Sequence, residues 1–245
     1  METILKIATG ALGLIVPCLF VLIIKKGIKN SPFEEAKRTK YRRILIIAIG
    51  IWTALIWVLS LIGVISYHEG DSLPRFVIAL MIPVLIGFFL LIRNKVFHLI
   101  ITSAPLSALV GAQIFRFAGS SFLILANMEI LPHVFVTAGY GDILTGAFAL
   151  IACLALINKA GKARLSFWLF NIIGLMDLLN VAFLLVAYYP IFSNAKISSA
   201  AAGDFPLVLI PALVAPIALL LHIYSIKCFL VKEKQSANNT NSKNN

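Results

Sequence analysis

Seven side chains in this sequence stand where polar chemistry is costly. Arg116, Asp142 and Asp177 are ionisable, Gln113, Asn171 and Asn180 carry amides, and His222 carries an imidazole; each lies inside, or at the mouth of, an apolar run. Ionisable groups in such surroundings face a bundle interior, pair with one another and are candidates for a functional site. A guanidinium cannot shed its proton, so a buried Arg116 must meet an anion or a wet cavity, and Asp177 is its natural partner. The chemistry this set suggests is the binding or movement of a small polar or anionic molecule, or of an ion. In that arrangement Arg116 is the anion anchor, Asp177 and Asp142 are its counterions, and Gln113, Asn171, Asn180 and His222 orient what is bound.

Transmembrane helices are the elements that must hold these groups. The chain is 60% hydrophobic and 13% charged with a mean hydropathy of +0.98, whereas soluble domains are about 25% charged. A spanning helix needs roughly 20 mostly apolar residues. Seven segments qualify, at about 3–24, 44–66, 76–92, 104–126, 138–157, 165–188 and 206–226. The expected fold is an all-α integral membrane protein: one seven-helix bundle over 1–230, followed by a polar, disordered tail over 231–245. The loop after segment one holds Lys25, Lys26, Lys29, Lys37, Arg38, Lys40, Arg42 and Arg43, and the basic residues of the third and fifth loops and the tail fall on the same side. By the positive-inside rule the N-terminus is outside and the C-terminus cytoplasmic. The net charge of +11 is thus a topology signal, not a nucleic-acid patch. Cys18, Cys153 and Cys228 form no C-x-x-C pair, so neither a disulfide framework nor a zinc site is indicated.

The polar groups gather in the last four segments. Gln113 and Arg116 lie three apart on segment four, Asp142 and Thr145 open segment five, Asn171, Asp177 and Asn180 lie on segment six, and His222 and Ser225 on segment seven. At about 1.5 Å per residue, Arg116 comes roughly 15 Å above the cytoplasmic boundary, Asp177 roughly 18 Å and Asp142 roughly 24 Å. Asn171, Gln113 and His222 come lower, at roughly 8–10 Å. The expectation is a polar column through four helices.

Several chemistries fit poorly. Gly139-Tyr140-Gly141-Asp142 with the later Pro211-Ala212-Leu213 matches a G-x-G-D and P-A-L pattern of intramembrane aspartyl proteases. That reaction needs two carboxylates sharing one proton. Here the only other intramembrane aspartate, Asp177, follows the motif instead of preceding it, and Arg116 would hold both carboxylates ionised. A retinal Schiff base would need a lysine midway along segment seven, where Lys227 stands only at the end. Haem ligation wants two facing histidines; His222 with His98 is a minor option, and no cofactor is otherwise expected.

"AQIFRFAGSSFLILANMEILP", "GYGDILTGAFA", "FNIIGLMDLLN" and "IPALVAPIALLLHIYSIKCFL" together resemble a group of uncharacterised bacterial seven-helix membrane proteins over about 106–230. The matching positions are Gln113, Phe115, Arg116, Pro132, Asp142, Ile143, Gly146, Asn171, His222 and Ser225. This chain departs from them at Ser120, where many carry Glu, and at Tyr140-Gly141, where they carry Asn-Phe. The resemblance implies a multi-pass protein of the bacterial cytoplasmic (inner) membrane, among lipids, and names no activity. Three readings therefore stand: a non-enzymatic binding or transport-like protein, an intramembrane enzyme or a haem or quinone redox protein, and a structural or partner-binding membrane subunit.

Overall fold

Asn94 shows how the chain's polar residues punctuate its apolar ones. Its side chain accepts the Phe97 amide at 3.0 Å, ending α3 (Arg75–Arg93) and starting the short α4 (Lys95–Ser103). The computed structural model describes residues 2–69 and 71–241, whose regular structure is all helical, with no strand among them. The longer elements before this point are α1 (Glu2–Asn30) and α2 (Glu35–Leu61). α2 stops where Gly63 takes a left-handed φ of +73°, a conformation that costs glycine little. After Pro105 the chain forms α5 (Leu106–Gly111), a 3₁₀ stretch (Ala112–Ser120) and α6 (Ser121–Asn127) in succession. Then come α7 (Val136–Ile157), α8 (Ala163–Ala187), a π-helical turn (Ile210–Val214) and α9 (Ala215–Asn241).

Seven helices among the described residues are long and apolar enough to cross a membrane, with Leu106–Asn127 counting as one and Ile210–Ser236 as another. Their boundaries depart from expectation in three places. α2 begins at Glu35 and so draws Lys37, Arg38, Lys40, Arg42 and Arg43 into its first turns. The segment expected over 104–126 is broken by the 3₁₀ stretch, and His98 falls on α4, a separate helix. α9 runs through Asn241 across most of the expected disordered tail, whose residues 242–245 lie outside the described ones. Lys, Gln and Ala in that stretch are good helix formers, and an established helix extends at low cost.

Both ends of the bundle are tied by polar bonds. At the basic end, Asn30 Nδ2 donates to the Ser103 carbonyl at 3.4 Å and Lys232 Nζ to the Ala104 carbonyl at 3.2 Å. At the opposite end, Ser66 Oγ donates to the Gly203 carbonyl at 3.1 Å, and Tyr67 and Phe76 both meet the buried Tyr189 ring edge-on. α1 and α9 pack centrally through Val16, Phe20, Ile24, Ile217, Leu221 and Tyr224. α2 is peripheral, with only 11% of its apolar window buried, and it turns Ile47, Ile51, Leu55 and Val58 outward. The 3₁₀ stretch, α7 and α8 form the tightest assembly, and the polar residues lie between them.

Candidate functional site

The 3₁₀ stretch sets the site's geometry. With three residues per turn, side chains at i and i+3 eclipse, so Gln113, Arg116 and Gly119 stand in one line. Runs longer than 3–4 residues are uncommon in this conformation, and this one covers nine. The line reaches three helices: Gln113 Nε2 donates to the Ala218 carbonyl of α9 at 2.8 Å, Arg116 reaches α7 and α8, and Gly119 faces Asp142.

Arg116 is the centre. Its Nε donates to Asp142 Oδ1 and its Nη2 to Asp177 Oδ2, so one guanidinium is shared by carboxylates from two helices. All three residues are buried. The backbones come close because glycine stands opposite each aspartate. A Cβ on Gly119 would fall on the Asp142 carboxylate, and one on Gly141 would fall on that of Asp177. One positive charge faces two carboxylates, leaving a formal charge of −1 when both are ionised.

A cavity of about 40 Å³ adjoins the triad. Arg116, Asp142, Gly119 and Ser121 form its polar wall, while Leu12, Phe115, Phe122, Ile210, Val214 and Ala218 are among its apolar neighbours. Ile210 and Val214 belong to the π-helical turn, a feature that often marks functional sites within helices. A cavity needs roughly 10–15 Å³ to hold a water, whereas drug-sized ligands occupy roughly 300–1,000 Å³. This space suits a few water molecules or a small ion.

The other polar groups divide. Asn171 Nδ2 donates to the Phe167 carbonyl at 2.9 Å, which turns Oδ1 toward α9. That oxygen accepts from His222 Nδ1 at 2.9 Å and from Ser225 Oγ at 3.2 Å. The His222 ring stacks on Phe170 with centroids 4.7 Å apart. Asn171, His222 and Ser225 thus form a second buried group, one to two turns nearer the basic end than Asp177. Asn180 is not brought to Arg116; its Nδ2 donates to Thr137 Oγ1 at 3.2 Å, nearer the opposite end. The single column expected across the bundle is two buried groups and one outlying bond.

The depths also shift. Asp142 was expected roughly 9 Å beyond Arg116, yet the two are in contact. A 3₁₀ segment rises about 2.0 Å per residue against 1.5 Å for an α-helix, which carries Arg116 outward, and the spans do not begin at a common level. Sequence reasoning missed Gly119 and Ser121. Gly119 had a signal in hindsight, as a small residue three positions from an arginine inside an apolar run.

A family model described as a domain of unknown function, DUF8737, matches residues 73–230. The match takes in well over half of the chain, from the loop before α3 into α9, and the chain belongs to that family. No curated protein and no solved structure matches it.

Proposed function

We propose that this member of the family is a seven-span protein of the bacterial cytoplasmic membrane, with its N-terminus outside and its C-terminus cytoplasmic, that binds a proton or small cation at the Arg116–Asp142–Asp177 triad. The observation that carries this reading is the count of charges: one guanidinium shared by two buried carboxylates. Arg116 keeps its proton, so the surplus charge must be met by something positive, because an uncompensated charge in such a site is costly. The anionic ligand that the sequence suggested is disfavoured, since Arg116 Nε and Nη2 are already given to carboxylates. The 40 Å³ cavity also favours an ion over an organic molecule. Proton and cation share one chemistry here, namely neutralisation of one carboxylate, and movement through the bundle would follow from exchange at the triad. The orientation is supported by the lysines and arginines gathered at the end where Asn30, Ser103 and Lys232 meet.

Infrared difference spectra of the full chain in lipid vesicles test this. Acidification from alkaline pH, or exchange of sodium or potassium, should change the protonated-carboxyl band of the wild type. That change should be absent from the Asp142→Asn, Asp177→Asn double variant. Carboxylates that stay ionised and respond to neither protons nor these cations would show that the triad only clasps helices together.

A further inference from the structure

Beside the triad stands a buried base without a partner. Asn171 Oδ1 faces His222 Nδ1, because Asn171 Nδ2 is committed to the Phe167 carbonyl. An amide oxygen can only accept, so Nδ1 carries the ring proton and Nε2 is left as a bare lone pair. His222 is fully buried, and Nε2 makes no hydrogen bond among the described residues. A core histidine kept only for packing has no need to leave that atom stranded, since an unsatisfied buried acceptor is destabilising.

Position says what the atom faces. The Cε1–Nε2 edge of the ring lies over Gly174, where any Cβ would collide with it, and Thr145 lines the same spot, 2.9 Å from that Cβ position. Gly174 is three residues before Asp177 on α8, and Thr145 three after Asp142 on α7. Because α7 and α8 are antiparallel, both lie one turn from the triad toward the basic end. Gln113, one 3₁₀ turn before Arg116, lies on the same side with its Oε1 also unpartnered. On the triad side, Asp177 Oδ1 and Arg116 Nη1 make no hydrogen bond among the described residues. These unpaired groups thus lie about one helical turn apart, and the Thr145 methyl borders the ring edge while its hydroxyl donates to the Gly141 carbonyl at 2.8 Å.

We propose that His222 is a second proton station, taking a proton at Nε2 from the triad's carboxylates while Asn171 holds Nδ1–H. The step rests on the proton form of the function proposed above. A carboxyl O–H bond breaks and an Nε2–H bond forms, giving carboxylate and imidazolium with no change of redox state. One water, or a turn of the Asp177 carboxyl, would bridge the gap. One turn along their elements from Gln113, Thr145 and Gly174 stand the ionisable groups Arg116, Asp142 and Asp177; on its own helix Tyr224 points to the opposite face, against Phe20 and Phe97.

Two measurements on the full chain in lipid vesicles decide it. Histidine-ring ¹⁵N spectra, with the His222 signals identified by their loss in His222→Gln, should show a protonated Nδ1 and a bare Nε2 at neutral pH; the opposite tautomer overturns the proposal. The rate at which the triad releases its proton after a pH jump, followed by the protonated-carboxyl band, should fall tenfold or more in His222→Gln, with the wild-type amplitude kept. Unchanged rate at unchanged amplitude overturns the station and leaves the triad's proton binding intact. No proton-dependent band in the wild type would instead remove both readings. A variant that fails to fold is replaced by Gly174→Ala, which displaces the Nε2 edge and should slow release likewise.

Discussion

Gly141 and Asp177 share one space: the Asp177 carboxylate lies where a Cβ on Gly141 would be. Gly119 and Asp142 stand in the same relation across the interface of the 3₁₀ stretch with α7. A charged triad at this depth is therefore built by pairing each aspartate with a glycine on the facing helix. Small residues are the usual means of close helix approach in membranes; here the room they leave goes to carboxylates that must reach one guanidinium.

Gly119→Ala and Gly141→Ala should consequently destabilise the fold, each by about 1–3 kcal/mol or more, the range for overpacked cores. The displaced group is a bonded carboxylate, so the loss includes its ion pair. Gly50→Ala is the control, since a Cβ there meets nothing within 4 Å. It should be neutral or slightly stabilising, alanine being the better helix former by about 0.5–1 kcal/mol. Thermal unfolding of the three variants in one detergent gives the comparison.

Removing Arg116 strands two buried carboxylates. Breaking a buried pair by deleting one partner costs about 3–5 kcal/mol, whereas replacing the whole set by apolar or neutral groups is often tolerated. Arg116→Met alone should unfold far more readily than the wild type, and Arg116→Met combined with Asp142→Asn and Asp177→Asn should recover most of the loss. A triple variant no more stable than Arg116→Met would mean that packing around the guanidinium, not charge, holds the three helices.

The sequence displayed the helices more clearly than their meeting points. Apolar length reveals a span, because every backbone group in lipid must be bonded within its own helix. It does not reveal that Ala112–Ser120 tightens into 3₁₀ geometry, which depends on packing against α7. Arg116, Asp142 and Asp177 were legible as a set because charge inside an apolar run is rare. Both aspartates were also expected as counterions of Arg116; what was not legible is that Gly119 stands opposite Asp142 and Gly141 opposite Asp177, a pairing that appears only once the facing helices are in place. Asn180, three residues past Asp177 on α8, bonds Thr137 instead, a cross-helix contact that spacing along one helix does not reveal.

Outside the spans, Asp71 gives a pH dependence. The His68 amide donates to its carboxylate at 2.9 Å and Arg75 Nε at 3.1 Å, and these bonds hold the Asp71 carboxyl below its ordinary value. A carboxyl lowered in the folded state stabilises above its unfolded value, about 3.9, and that contribution is lost as pH falls through the lower folded value. Arg75 also donates to the Val64 carbonyl at 3.1 Å, so the bond organises the turn between α2 and α3. Hydrogen exchange of the amides of 64–69 should quicken as pH drops below about 4 after correction for intrinsic rates. In Asp71→Asn it should be fast at every pH.

Asn171 offers the sharpest separation of roles in the second group. Its Oδ1 accepts from both His222 Nδ1 and Ser225 Oγ, but Ser225 also donates to the His222 carbonyl at 2.9 Å and keeps that outlet. Asn171→Leu therefore strands one donor, the His222 ring N–H, at a cost of about 1–3 kcal/mol. Ser225→Ala removes a hydroxyl whose acceptor keeps another donor, so its cost should stay near or below about 1 kcal/mol. The order of the two unfolding midpoints checks this. With Asn171 gone, nothing fixes the proton on Nδ1, and the ring's ¹⁵N signals should shift toward a mixture of tautomers. If they keep the wild-type pattern, the ring is held by its stacking on Phe170 and by Gly174, and Asn171 serves only to join α8 to α9.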